Sequence, residues 1–575
     1  FTPGPKEHDI IHHSSNPKRS ILLMGRSGTG KTTCLVFRMW AHFMSYAEAF
    51  GGDHPRQLFV TKNEMLRKEV KKSFENMGLV WRHRQHMFDY CETSSPIKLD
   101  ATDQNVKSSA VKFPLFLTSK EWLNILDKHL PGESFFTARE MEHHSQHLKE
   151  DISTVERGIE AMFAKNDTNI NENKDEVREM VSFTLFKKWW PKINSRVKSL
   201  FDPALAWLEI KSHIKGSVKA LKLNEEERSL PMYRFLSLEE YILLPRKQSR
   251  INEKQRREVY NLYISYEKLK RNRHYFDEMD LVYQLAGRVA LFNTMNIENQ
   301  ILPYDELFVD EVQDFTQAEL YILIKLSRDP NSLMLAGDTA QSIAVGVGFR
   351  FTDIRQIFYN LFGGIEPELL QLTHNYRSHA GILKLAACVV ELLYFFFGDS
   401  LDKLPPDLGL FPGPKPVIMD VTSTEDLVLM LDGSKRETAR IEFGAHQVVI
   451  VRNENAKANL PDEFGVDKDW VMTVQESKGL EFDDVLLYDF FTDSEAGDLW
   501  RIISNYTEKD IAAYYSDSFV ASSGVQNFEW DKLLDSTTRK LDFNREEHKI
   551  LEVEFKMLYT AITRARVNIF IAETD

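Results

Sequence analysis

The chain has 575 residues, 43% of them apolar, with a net charge of −14 and three cysteines. That length accommodates about three or four domains with real cores, and the acidic balance excludes a globally basic nucleic-acid coat, so any polyanion contact must be a local groove. The widely scattered Cys34, Cys91 and Cys388 exclude a disulfide or cysteine-metal framework and fit a reducing, intracellular setting, nucleus or cytoplasm.

In chain order, the first predicted element is an apolar strand over residues 21–24. Gly25-Arg26-Ser27-Gly28-Thr29-Gly30-Lys31-Thr32 follows it, and then a helix over 33–44 with apolar residues at Leu35, Val36, Met39 and Trp40. Glycines allow backbone dihedrals that a Cβ resists, so successive N–H groups can turn inward on a polyphosphate. Lys31 then reaches the β- and γ-phosphates and the Thr32 hydroxyl ligates Mg²⁺. The bare pattern arises by chance in roughly 2% of chains this long, and the strand and helix around it lower that further.

Leu58-Phe59-Val60-Thr61-Lys62-Asn63 follows, a run that gains meaning only through a family resemblance. Residues 121–273 carry amphipathic, charge-rich segments, for example 181–190 and 256–270, and predict an inserted helical domain. Within it His143 and His147 have i, i+4 spacing, but their polar neighbours indicate a solvated helix face rather than zinc ligands. Residues 166–175 read as an acidic loop or mobile hairpin. Residues 246–273 hold ten Lys or Arg, with Tyr260, Tyr263 and Tyr266 interleaved. Such a helix either lies along a nucleic-acid backbone or uses its tyrosines as a buried seam.

Strands resume at 306–310, 333–337, 448–451, 485–490 and 567–571, so two α/β units flank the insertion. The first of these runs into Asp310-Glu311-Val312-Gln313-Asp314. Carboxylates at the C-terminal edge of a parallel strand sit where a phosphate loop needs them: Asp310 for hydrated Mg²⁺, Glu311 to take a proton from the attacking water. The most apolar stretch, 382–397, is broken by Lys384 and Glu391 and predicts a core helix rather than a membrane span. Residues 493–542 form a long acidic and polar insert. The chain begins at Phe1 rather than Met and stops at Asp575 just after a strand, which predicts a piece of something larger.

The ordered set resembles UvrD/Rep-like superfamily 1 helicases. After the glycine loop, residues 309–314 resemble the second motif, Gly337-Asp338-Thr339-Ala340-Gln341-Ser342-Ile343 the third and Thr373-His374-Asn375-Tyr376-Arg377-Ser378 the fourth. Residues 473–482 resemble the fifth and 559–566 the sixth. Within the family the nearest likeness is the helicase-like region of large TPR and ankyrin repeat-containing proteins. The resemblance implies two RecA-like P-loop domains with parallel sheets plus the helical insertion: 1–120 with 274–372, 121–273, and 373–575, the last with a reduced accessory insertion near 379–470. It implies Gln341 as the γ-phosphate sensor, with Arg377 and Arg564 stabilising transition-state charge across a cleft from Lys31. Tyr376 would stack on adenine and Glu481 would reach the ribose. Thr61 and Asn63 would meet nucleic-acid phosphates, and Phe349 with Arg350 would contact bases after an extra turn over 344–348.

Some positions depart from the family pattern. Thr33 stands where an arginine is usual, Gln475 where a histidine is usual, and no adenine-reading glutamine is found before Arg19. The implied function is ATP-dependent movement on single-stranded DNA or RNA, 3′ to 5′, using ATP and Mg²⁺. The alternative is an ATP-binding interaction module of a larger scaffold that does not unwind.

Overall fold

The structure, a computed structural model, describes residues 3–49, 54–88, 113–130, 132–137, 140, 177–199, 201–221, 235–245, 248–249, 251–295, 304–344, 346–348, 350–398, 400–421, 446–460, 470–506, 542–545 and 548–574. Cys91, His143, His147, residues 166–175 and Phe349 lie outside that set, as does most of the 493–542 insert. The fold is mixed α/β with parallel sheets. It divides into two compact units, the first comprising Phe1–Leu23, Lys31–Gly337 and Val345–Leu370, the second Met24–Gly30, Asp338–Ala344 and Gln371–Asp575.

The first unit is built on a six-stranded sheet. Its strands are β1 (Ile21–Gly25), β2 (Gln57–Thr61), β3 (Leu115–Thr118), β4 (Glu306–Val309), β5 (Leu333–Gly337) and β6 (Glu368–Leu372), in the order β3-β2-β4-β5-β1-β6. β2 pairs in parallel with β3 through Leu58↔Leu115 and with β4 through Leu58↔Leu307, and β4 pairs with β5 through Phe308↔Met334. Strands β1 to β5 are buried along nearly their whole length, as a parallel sheet covered on both faces requires, and that is why they read as continuous apolar runs; the edge strand β6 is only partly buried. The helix Lys31–Ala49 buries Cys34, Leu35, Val36, Met39 and Phe43. Trp40, expected on the same face, is half-buried against Phe43 and Phe74.

The helices between Ser119 and Met295 belong to this same unit. The basic 246–273 run becomes the helix Glu253–Asn272, and its tyrosines are a seam: Tyr263 and Tyr266 are buried with Val259 and Leu262. Two of its cations, Arg256 and Lys270, also face inward, while Lys254, Arg257, Lys268 and Arg271 are exposed. Arg256 donates to the carbonyls of Ile242, Leu244 and Ser249 at 2.6 Å each, closing the end of the preceding short helix. Lys270 and Lys215 share the carboxylates of Glu267, Asp277 and Asp280 at 2.5–2.9 Å. The three acids sit close enough to chelate a cation, but the two ammoniums already bond to all three carboxylates.

The second unit holds a five-stranded parallel sheet of β7 (Val417–Val421), β8 (Gln447–Val451), β9 (Val471–Thr473), β10 (Phe482–Tyr488) and β11 (Ala565–Thr574), in the order β7-β11-β10-β8-β9. β10 begins before the expected strand and β11 extends to either side of it, because parallel pairing continues from Phe482↔Ala565 to Tyr488↔Ala572. The apolar helix is Ala380–Phe397. It is the one helix among the described residues long and apolar enough to cross a membrane, yet Ile382, Leu393 and Phe397 are buried in one core with Val448, Val485 and Phe555. The described start of the acidic insert joins that core as well, through Ile502 and Tyr506, and Phe543, just past its end, packs against it.

Removing one partner from the Lys215 cluster leaves uncompensated buried charge, which costs about 3–5 kcal/mol, whereas an exposed pair contributes under about 1 kcal/mol. Lys215→Met is expected to lower stability by several kcal/mol in urea unfolding. Arg257→Ala, which breaks the exposed pair with Glu253, should leave the midpoint nearly unchanged.

Candidate nucleotide site

The turn after β1 depends on two residues at positive φ, Gly28 at +77° and Gly30 at +86°. L-residues with a Cβ resist this region, and successive N–H groups in such a turn form an anion-binding concavity. A Cβ on Gly28 would also lie 2.7 Å from Arg377 Cβ and Asn375 Oδ1. Arg26, Ser27, Thr29 and Lys31 are all buried. Thr29 Oγ1 donates back to the Arg26 carbonyl at 2.8 Å, tightening the turn.

In the first unit, the helix that starts at Lys31 and the end of β4 bring Thr32 Oγ1 within 2.5 Å of Asp310 Oδ2. Both are hard oxygen donors of the kind Mg²⁺ takes. Asp310 is fully buried. Burial and the adjacent Glu311 charge push its carboxyl up to about 6, against the pull of Thr32 and Lys31. Glu311 sits in the left-handed region with φ 54° and ψ 45°, a strained conformation for a residue with a Cβ. Its carboxylate accepts from Gln313 Nε2.

In the second unit, two guanidiniums converge on one hydroxyl of the loop. Arg564 Nη2 donates to Ser27 Oγ at 2.9 Å and Arg377 Nη1 donates to the same atom at 3.0 Å. Arg564 also donates to Gln341 Oε1 at 2.7 Å, and Gln341 Nε2 donates to Asp338 Oδ2 at 3.1 Å. Arg377 is paired with Glu481 at 2.7 Å. Burial alone would raise the Glu481 carboxyl, but Arg377, Arg566 and Arg564 outweigh it and hold the group below its usual range. Tyr376 is half-buried and its N–H donates to the Gly28 carbonyl at 3.0 Å. Glu481 and Tyr376 thus flank the loop, although nothing in this geometry assigns them to ribose or base.

Four residues not singled out from the sequence complete this arrangement. Asn375 donates to the Ser27 carbonyl at 2.6 Å and accepts from the N–H groups of Arg377 and Ser378 at 3.0 Å each. Tyr559 Oη accepts from the Ser27 N–H at 3.3 Å, and Lys478 donates to the Gln341 carbonyl at 2.6 Å. Asp338 accepts from Arg26 at 2.9 Å. All four lie inside the recognised motifs, so position was the available signal.

The expected nucleic-acid residues are placed less favourably. Thr61 is fully buried between β3 and β4, so its hydroxyl is not offered to a ligand. Asn63 Oδ1 accepts from the N–H groups of Met65 and Leu66 at 2.8 and 3.2 Å, capping the Glu64–Phe88 helix. Arg350 stands at the N-cap of the Phe351–Leu361 helix.

The sequence family described as UvrD/REP helicase N-terminal domain matches residues 5–360. The human TPR and ankyrin repeat-containing protein 1 is 36% identical over 689 aligned positions, which cover 100% of this chain and 22% of that protein. The chain therefore spans about a fifth of that relative's length. Among solved structures, the PRRSV helicase aligns with a TM-score of 0.22 and 15% identity over 47% of this chain and 35% of that one, too little to carry an argument. The family match runs from before the glycine loop to beyond Gln341 and covers more than half of the sequence: the chain belongs to the UvrD/REP helicase family.

Proposed function

We propose that the chain is an ATP-driven translocase on single-stranded nucleic acid, moving 3′ to 5′, with two RecA-like domains and a helical insertion. The observation that carries the ATPase reading is the pair of guanidiniums, Arg377 and Arg564, held on the hydroxyl of a phosphate-loop residue. The planar, permanently charged guanidinium suits phosphoryl oxygens. Lys31 and the loop N–H groups bind the triphosphate, and Thr32 with Asp310 would hold Mg²⁺. When bound, Mg²⁺ would neutralise phosphate charge. Glu311 orients the attacking water and accepts its proton at the carboxylate. Arg377 and Arg564 stabilise charge on the equatorial oxygens. Gln341 senses the terminal phosphate, Tyr376 and Glu481 serve the nucleoside, and Arg350 with Phe349 serves the strand.

A second reading is favoured by the buried Thr61, by Asn63's use as a helix cap, and by the relative's name, which describes a repeat protein of which this region is 22%. In that reading the region is a nucleotide-responsive module of a longer polypeptide that does not unwind.

ATPase assays with single-stranded DNA and RNA oligonucleotides decide between them. Stimulation is expected, together with an affinity that falls steeply as salt rises. Hydrolysis that ignores both oligonucleotides would favour the module. Lys31→Ala and Glu311→Gln should each lower turnover by about 100-fold or more.

Asp310 gives a second test. With its pKa raised to about 6, the folded state binds this proton more tightly than the unfolded chain does, so the stability it supplies is present below about pH 4 and is lost as pH rises through about 6. Asp310→Asn stays neutral throughout. Without Mg²⁺, the variant should match the wild type near pH 4 and exceed it by about 2 kcal/mol at pH 7 in denaturant melts, while hydrolysis is lost.

A further inference from the structure

The loop residue Arg26 is 5% exposed and reaches three other segments of the second unit. Its Nη1 donates to Asp338 Oδ1 at 2.9 Å, and its Nη2 donates to Tyr394 Oη at 2.7 Å and to the Asp402 carbonyl at 3.2 Å. Tyr394 Oη in turn donates to the same Asp402 carbonyl at 2.8 Å. Burial opposes the Arg26 charge, but Asp338 with Tyr394 and Tyr559 outweighs it and keeps the guanidinium protonated.

Followed from Arg26, the hydrogen bonds form a closed circuit. Arg26 donates to Asp338, Gln341 donates to Asp338, Arg564 donates to Gln341, and Arg564 donates to Ser27, the residue next to Arg26. Each donor–acceptor direction is forced by chemistry. A guanidinium only donates and a carboxylate only accepts, so the Gln341 amide has one orientation that satisfies both neighbours: nitrogen to Asp338, oxygen to Arg564. Asp338 also accepts from the Ala340 N–H at 3.0 Å, fixing the backbone turn that carries Gln341.

We propose that Arg26 is a positioning residue for hydrolysis: it anchors Asp338, and through Asp338 it sets the amide of Gln341 so that its oxygen faces Arg564. This rests on the reading of Gln341 and Arg564 as the sensor and the charge-stabilising group. The Arg26 side chain touches neither nucleotide nor water in this scheme. Its fork is required because one planar group must serve a carboxylate, a phenol and a carbonyl at once, which the single ammonium of a lysine does less well.

The test is a double-mutant cycle on the 575-residue chain, reading kcat and KM for ATP with saturating oligonucleotide. Lys31-dependent hydrolysis by the unaltered chain is measured first, and its absence would end the functional reading and this one together. Arg26→Met is expected to lower kcat by about 10- to 100-fold with KM changed by less than about threefold. Arg26→Lys should recover part of that loss. In the Gln341→Ala background, Arg26→Met should cost no more than about twofold further, because its effect passes through the absent amide. Losses that multiply, or an Arg26→Met enzyme with wild-type turnover, would overturn the proposal while leaving the ATPase reading intact. Should Arg26→Met abolish the thermal unfolding transition, Tyr394→Phe, which removes one partner of the guanidinium, enters the same cycle: a loss in kcat that vanishes with Gln341→Ala supports the proposal, and a multiplying loss or none refutes it.

Discussion

The hydroxyl of Ser27 is the atom on which the glycine loop's contacts within the second unit depend. A serine oxygen has two lone pairs, and here both are claimed by arginines, Arg377 and Arg564. Two cations on one neutral atom repel each other, so the arrangement stands only because each guanidinium is compensated elsewhere. Arg377 has Glu481, and Arg564 has the carbonyls of Thr560 and Leu480 together with the amide of Gln341. The close approach further requires that Gly28 carry no side chain. Loop composition, arginine placement and the motif that holds Gln341 are therefore one constraint seen from three positions.

Buried charge is handled in opposite ways in the two parts of the first unit. In the helical part, Asp277 and Glu278 are held well below the usual carboxylate range, because lysines outweigh their burial. At the end of β4, Asp310 is pushed up, because its nearest strong influences after burial include the like charge of Glu311. The first pattern stabilises the fold, since Asp277 and Glu278 each pair with two lysines. The second leaves a carboxylate short of positive charge beside a strained Glu311, which is the electrostatic condition a divalent cation relieves.

The extra turn after the third motif also acquires a physical account. Gly346 has φ +83°, and a Cβ there would lie 2.6 Å from the Trp207 indole. Ser212 Oγ donates to the Gly346 carbonyl at 2.6 Å and accepts from the Gly348 N–H at 2.9 Å. Trp207 and Ser212 belong to a short helix and to the π-helical segment Glu209–Lys215 that follows it. The turn is thus docked on the helical part of its own unit, and its glycines serve close backbone packing.

What the sequence by itself determined was local and chemical. Continuous apolar runs marked the parallel strands because both of their faces are covered, and the glycine loop, Asp310 and Glu311 announced themselves because their chemistry dictates residue type and spacing. The six ordered motifs carried the family, which the match over residues 5–360 bears out. Tertiary structure alone decided which way amphipathic choices fell. The tyrosines of 246–273 face inward, since the side chains that cover them, and the acids that accept Lys270, come from elements that periodicity within one helix cannot identify. Likewise Arg26 was legible in the sequence only as a member of the phosphate-binding loop. Its partners Asp338, Tyr394 and Asp402 lie more than three hundred residues away, and a contact at that separation exists only once the chain has folded around it.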